Sequence, residues 1–200
     1  MESLRDKHVE NTRQTLLETG ARLFAELDYA GLSAEELVRA AGLTRGALYH
    51  HFDGKKGLFD AVVDDLQQRA AQRIRAAIDS STDPMELLER AMEAFLDVCT
   101  EPVYRHVVLL QGPIALGWQR WREIDQRHLG GLVVSGAQAL LEAGRIQPYP
   151  PELLASAIYG ALTEMSLTIA ESDDLARSRA QAAGLTRALL DGLIAPVTDN

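Results

Sequence analysis

Apolar residues recur every three to four positions along almost the whole chain, the spacing of one buried helix face. Val9, Leu16, Leu23, Phe24 and Leu27 predict a first helix over residues 6–28, closed by Asp28-Tyr29-Ala30-Gly31. The next 24 residues, 33–56, hold two much shorter helices. Ser33 is a good N-cap, followed by Glu35 and Glu36 in a first turn where carboxylates suit the helix dipole. Leu37 and Ala41 make a narrow apolar stripe, and Gly42 supplies the positive φ of a helix stop. Thr44 caps the second short helix, whose inner face is Leu48 and Phe52. Its outer face carries Arg45 with Tyr49 and Gly46 with His50, two pairs spaced by four.

Asp53-Gly54 opens a long fourth helix over about residues 55–78, with Leu58, Phe59, Val62, Val63, Leu66, Ala70, Ile74 and Ile78 on its apolar side. Ser80 to Pro84 is the clearest internal break, and Asp83 before Pro84 starts a helix carried by Met85, Leu87, Leu88, Ala91, Phe95 and Val98 to about Thr100. Glu101-Pro102 and Gly112-Pro113 read as further breaks. Beyond them come Trp118 and Trp121, a polar stretch, and an apolar segment from Leu129 to Ala143 with Gly130-Gly131 at its join. Gly144 ends it and 148–151 is a proline-rich loop. Two last helices follow, over 152–171 and from Asp174 to about Ala195, the first apolar on much of its circumference. No linker separates the short N-terminal helices from the rest, so the fourth helix is expected to act as a rigid lever between two halves.

Composition narrows the class. Hydrophobic residues make up 46% of 200, aromatics are few, and long β-branched runs are missing, which predicts an all-α chain with a sizeable core. No apolar run is expected to approach the roughly 18 residues of a membrane span, and the charged start is unlike a signal peptide. Cys99 is the single cysteine, which rules out an intrachain disulfide and suits a reducing cytoplasm. It is read first as a small core residue. Catalysis is poorly served: His106 is seven positions from Cys99, no histidines stand at ligand spacing, and His50-His51 are expected to point to different sides of a short helix. The chain is therefore read as no enzyme, with no cofactor and no metal.

Charge changes the picture once it is located. The net charge of −9 argues against a general nucleic-acid coat. Residues 1–58, however, hold eight Lys/Arg against nine Asp/Glu, and within 39–56 the cations Arg39, Arg45, Lys55 and Lys56 face Asp53 alone. A local basic footprint on an acidic body suits a specific docking module.

The run L-S-A-E-E-L-V-R-A-A-G-L-T-R-G-A-L-Y-H-H-F-x-x-K-x-x-L-F (32–59) resembles the DNA-binding domain of the TetR family of bacterial transcriptional regulators. Many members have Ala where this chain has Val38. The resemblance implies a DNA-binding domain over 6–58, with its helix-turn-helix at about 33–52, and an effector-binding and dimerisation domain over 59–200, about nine helices in all. It also implies a homodimer through the last two helices on a near-palindromic operator, and a repressor released by a small, largely apolar effector. Such a protein would be cytoplasmic, at the nucleoid when bound, with no membrane partner. Candidate DNA contacts are Ser33, Thr44, Arg45, Gly46, Tyr49, His50, His51 and Lys55. Arg45 is suited to a guanine edge, Gly46 to close backbone approach, and Thr44, Tyr49, His51 and Lys55 to phosphates. Candidate pocket residues are Phe95, Cys99, Tyr104, Trp118, Trp121, Tyr159 and Met165, each equally able to be plain core. The segment from Gly112 to Asp125 resembles a motif of one subgroup, mostly from high-GC bacteria. The alternatives are a DNA-binding dimer without an effector, controlled by a partner or by abundance, and an activator.

Overall fold

The computed structural model describes residues 4–78 and 83–193, which are helical with short connections. The helices are α1 (Leu4–Glu26), α2 (Ala34–Ala40), α3 (Arg45–Phe52), α4 (Lys55–Ile78), α5 (Pro84–Thr100), α6 (Gly112–Leu116), α7 (Trp118–Asp125), α8 (Gly131–Glu142), α9 (Pro151–Glu171) and α10 (Leu175–Asp191). A 3-10 turn, Tyr29–Gly31, precedes α2. Wide π turns at Tyr104–Gln111 and Gln126–Gly130 lead into α6 and α8, so 104–116 and 118–142 are each one continuous helical run. Counted as continuous runs, the described residues form the nine helices expected.

By contacts, the chain forms two compact units, residues 1–66 with 102–124, and residues 67–101 with 125–200. The chain passes between them three times, inside α4, at Glu101-Pro102 and inside α7.

In the first unit α1 packs on α2, α3 and the Tyr104–Gln111 turn. Its buried face is Leu16, Leu17, Leu23 and Phe24; Val9 and Leu27, placed there by periodicity, are exposed, Val9 because only the C-terminal half of α1 is covered and Leu27 because it lies past the end of the helix. Phe24 meets Phe59 edge to face at 4.9 Å, and Tyr29 meets Phe59 at the same distance. The α4 face is buried from Leu58 to Val63, whereas Leu66 and Ile78 are only half-buried. Gly57 explains how tightly α3 and α4 join: a Cβ there would lie 1.5 Å from the Phe52 carbonyl oxygen, so only glycine fits.

Gly112-Pro113 does not break the chain as expected. Pro113 stands inside the continuous 104–116 run, where the wide turn passes into α6, and Gly112 makes room for Trp121, whose Cδ1 would be 2.6 Å from a Cβ. The actual break is Gly117, at φ 85°. Indole Trp121 Nε1 donates to Val108 O at 2.7 Å and fastens α7 to the π turn.

In the second unit α5, α8, α9 and α10 pack together. The α5 seam runs through Met92, Leu96, Val98 and Cys99, while Leu87, Leu88, Ala91 and Phe95 are half-buried around it. Asp83 caps α5 by accepting from Met85 N–H, as its sequence predicts. The break proposed at Ser80 to Thr82 lies outside the described residues, as does the expected helix end at Ala195; α10 stops at Asp191. The expectation that no segment approaches a membrane span is corrected by α9. By length and composition this helix is apolar enough, because Ala, Leu and Ile dilute its three carboxylates. It buries Leu154, Ala155, Tyr159, Thr163, Ser166, Ile169 and Ala170 within its unit.

Candidate nucleic-acid interface

The reading surface is built by local chemistry. Ser33 and Glu36 form a reciprocal capping box: the Ser33 hydroxyl accepts from Glu36 N–H at 3.2 Å, and the Glu36 carboxylate accepts from Ser33 N–H at 2.8 Å. The Ser33 hydroxyl and then its amide hold the Glu36 carboxyl below the usual carboxylate range. Gly42, at φ 66°, ends α2. Thr44 accepts from Ala47 N–H at 3.2 Å and starts α3. Leu48 and Phe52 are buried beneath it, each contributing roughly 1.5–3 kcal/mol by burial. Asp53 in the left-handed region (φ 55°) and Gly54 (φ 93°) turn the chain at once into α4.

The outer side of α3 is open. Arg45, Gly46, Tyr49 and His50 are exposed, and Tyr49 retains 48% of its surface. The Arg45 guanidinium lies over the Tyr49 ring at 5.5 Å, with Nη2 donating to its hydroxyl at 3.5 Å. The stacked pair is held ready at the surface, and the hydrogen bond is long enough to be exchanged for a better acceptor. Gly46 has only Thr44 Oγ1 near a Cβ, at 3.7 Å. Nothing in the fold itself calls for glycine there. His50 and His51 contact each other edge to face at 5.0 Å, so they do not point apart as expected. His51 is half-buried, and burial, then the neighbouring His50 and Arg13, lower its pKa; the imidazole is neutral at pH 7.

Two candidates have their polar groups already engaged within the fold. Ser33 Oγ also donates to Glu36 Oε2 at 2.7 Å, so its hydroxyl is engaged in the cap both ways. Lys55 Nζ donates to Tyr29 O at 2.9 Å and Leu32 O at 2.8 Å, and sits 4.2 Å from the centre of the Tyr29 ring. The phosphate role expected of Lys55 does not match this geometry. A lysine at a helix start reads as a surface cation in sequence; here the Tyr29 and Leu32 carbonyls of the 28–32 turn draw it in. Its neighbour Lys56 is exposed. Sequence also gave no signal for Gln111, whose carboxamide reaches the same turn.

The seven candidate pocket residues do not gather in one unit. Tyr104, Trp118 and Trp121 belong to the first, and Phe95, Cys99, Tyr159 and Met165 to the second. Trp118 is 48% exposed, lying against Trp121 at 5.1 Å. Phe95 is half-buried against Ala71, Ile74 and Leu129. Cys99 is buried, and desolvation, with the charge of Asp125, pushes its thiol well above the ordinary range. Tyr159 donates its hydroxyl to Asp125, which also accepts from the buried Gln67 at 2.8 Å. Met165 Sδ accepts from the Thr186 hydroxyl. A groove of about 180 Å³ between α5 and α10, floored by Met85, Met92, Leu96 and Leu190, is bordered by none of the seven. Among the described residues no group of three or more His, Cys, Asp or Glu is placed to hold a metal.

Comparison with known proteins agrees with this geometry. Residues 16–62 match the family described as bacterial regulatory proteins, tetR family, and residues 85–193 match the tetracyclin repressor-like C-terminal domain. A TetR-family transcriptional regulator from Pectobacterium atrosepticum is 35% identical, with 95% of this chain and 97% of that one covered and a TM-score of 0.83. The transposon Tn10 TetC protein of Escherichia coli is 24% identical over 92% of this chain and 93% of its own length. The transcriptional repressor AcnR of Corynebacterium glutamicum is 33% identical over 48% of this chain and 55% of its own. The family consists of DNA-binding regulators that dimerise and bind small-molecule effectors, and not of enzymes. The chain belongs to the TetR family and is a DNA-binding transcriptional regulator.

Proposed function

We propose that the protein is a homodimeric repressor that places the two copies of α3 in successive major grooves of a near-palindromic operator and leaves it when a small effector binds. The observation that carries the reading is the exposed Arg45–Tyr49 pair beside Gly46, on a short helix pinned from below by Leu48 and Phe52. Arg45 is the base-reading residue, Gly46 admits the backbone, and Thr44, Tyr49, His50 and His51 supply phosphate contacts. Ser33 and Lys55 act behind them by holding the ends of α2 and the 28–32 turn. Functionally we divide the chain into a reading domain over 6–58 and an effector-binding and dimerisation domain over 59–200, with α4 as their lever.

Dimerisation is proposed through α9 and α10. Leu153, Leu185 and Leu189 keep 66%, 53% and 48% of their surface, too much apolar area on two adjacent helices to be left to water without reason. The effector is proposed to be small and largely apolar, seated in the second unit near Phe95, Cys99, Tyr159 and Met165, with the Asp125 carboxylate its polar handle. Repression is favoured by likeness to the AcnR repressor. When bound, the protein would sit at the nucleoid in the cytoplasm. Selection of bound fragments from random DNA, followed by sedimentation of the complex, tests this. Two protomers on a sequence with two-fold symmetry are expected; one protomer on an asymmetric site would overturn the dimeric reading.

A further inference from the structure

The connection between α1 and α2 is held by side chains from two directions. Gln111, 7% exposed, donates from Nε2 to Phe24 O at 2.7 Å and accepts at Oε1 from Tyr29 N–H at 2.5 Å. One carboxamide thus joins the last turn of α1 to the first residue of the 3-10 turn. His106 Nε2, one helical turn earlier, lies 3.2 Å from Asp28 Oδ1. Lys55 closes the turn from the other side through Tyr29 O and Leu32 O. The segment that carries Gln111 is itself fixed: Trp121 donates to Val108 O, and Gly112 lets the indole close over it. Arg120 on α7 makes a two-point pair with Asp60 on α4, Nε to Oδ2 at 2.7 Å and Nη2 to Oδ1 at 2.8 Å.

We propose that Gln111 is a positioning residue for DNA binding, a latch through which the 104–111 turn sets the attitude of α2 and α3, in parallel with α4. The proposal rests on α3 being the reading helix. Its physical basis is that a buried carboxamide with both ends satisfied resists displacement, since either bond lost leaves a buried polar group unpaired. Residues 102–124 lie inside the tetracyclin repressor-like match yet pack with the N-terminal helices. The latch therefore gives the C-terminal domain a grip on the reading head that does not pass along α4.

The test uses the full chain with Gln111→Leu, which keeps the volume and removes both bonds, and Ile169→Val on α9 as a control of lowered stability alone. Operator fragments differ in half-site spacing, and exchange of the amides at 27–33 is followed by mass spectrometry. For Gln111→Leu we expect about a tenfold loss of affinity at the preferred spacing, a smaller penalty for one base pair added or removed, and faster exchange at 27–33. Ile169→Val should leave the spacing profile and that exchange unchanged. A Gln111→Leu profile that matches the control, at equal loss of Tm, overturns the latch. Should wild type favour no sequence, the reading-helix assignment falls, and the exchange result alone decides whether Gln111 holds the turn: unchanged exchange sinks it.

Discussion

Gly46 separates two demands that a single residue must meet. A glycine inside a helix costs roughly 0.5–1 kcal/mol relative to alanine, and nothing in the fold crowds a Cβ at this position. Gly46→Ala is therefore expected to raise Tm in chemical or thermal melts while weakening operator binding; improvement of both would show that the backbone does not approach DNA there. His51 gives a pH signature. Its depressed pKa leaves it neutral at pH 7, and a phosphate nearby would favour the proton, so binding takes one up. Affinity should then rise as pH falls from about 7.5 to about 6, and His51→Gln should flatten that rise, with His50 retained. Native stability shifts the opposite way: with the folded pKa lowered, the contribution from His51 is lost as pH falls. Caps were the residue-scale features most legible in sequence. Ser33, Thr44 and Asp83 act on amides two or three positions away, so spacing suffices to find them. Lys55 and Gln111 were not legible, because their partners lie 23 to 87 positions off.

At the scale of elements, the reading helix depends on how α4 begins. Phe52 O sits where a Gly57 Cβ would be, so Gly57→Ala must drive α3 away from α4. We expect a loss of roughly 1–3 kcal/mol in stability and of operator binding, with the circular dichroism of the long helices retained. Full binding by this variant would mean that α3 and α4 can separate harmlessly. Helix extents followed the periodicity closely except where a proline misled. Pro113 reads as a breaker from its neighbours alone, and only the packing of Trp121 over Gly112 shows that the helix continues. Val9 and Leu27 fit the period of α1 yet are exposed, since periodicity marks a face and not how far the helix or its partners reach.

For the whole molecule, α9 and α10 carry the proposed dimer. A charge placed there, as in Leu185→Glu, should yield a helical monomer by sedimentation and cut operator affinity at least 100-fold, because one reading domain alone makes few contacts. A dimer that survives this change with affinity intact would place the interface elsewhere. The pocket was the least legible feature. Large or soft residues on neighbouring helices read alike whether they line a cavity or fill a core, and the structure divides the seven between two units. The buried Asp125 with Gln67 and Tyr159 was missed because burial of a carboxylate cannot be read from its sequence neighbours. Above these details stands the claim that Arg45 on α3 reads DNA sequence. Fluorescence anisotropy at fixed salt, on the selected operator and on a scrambled duplex, measures it for wild type and Arg45→Ala. Wild type should prefer the operator strongly, and the variant should lose about 1–3 kcal/mol of that preference for each half-site while keeping its binding to scrambled DNA. An unchanged ratio of the two affinities in Arg45→Ala would contradict the assignment of α3 as the reading helix.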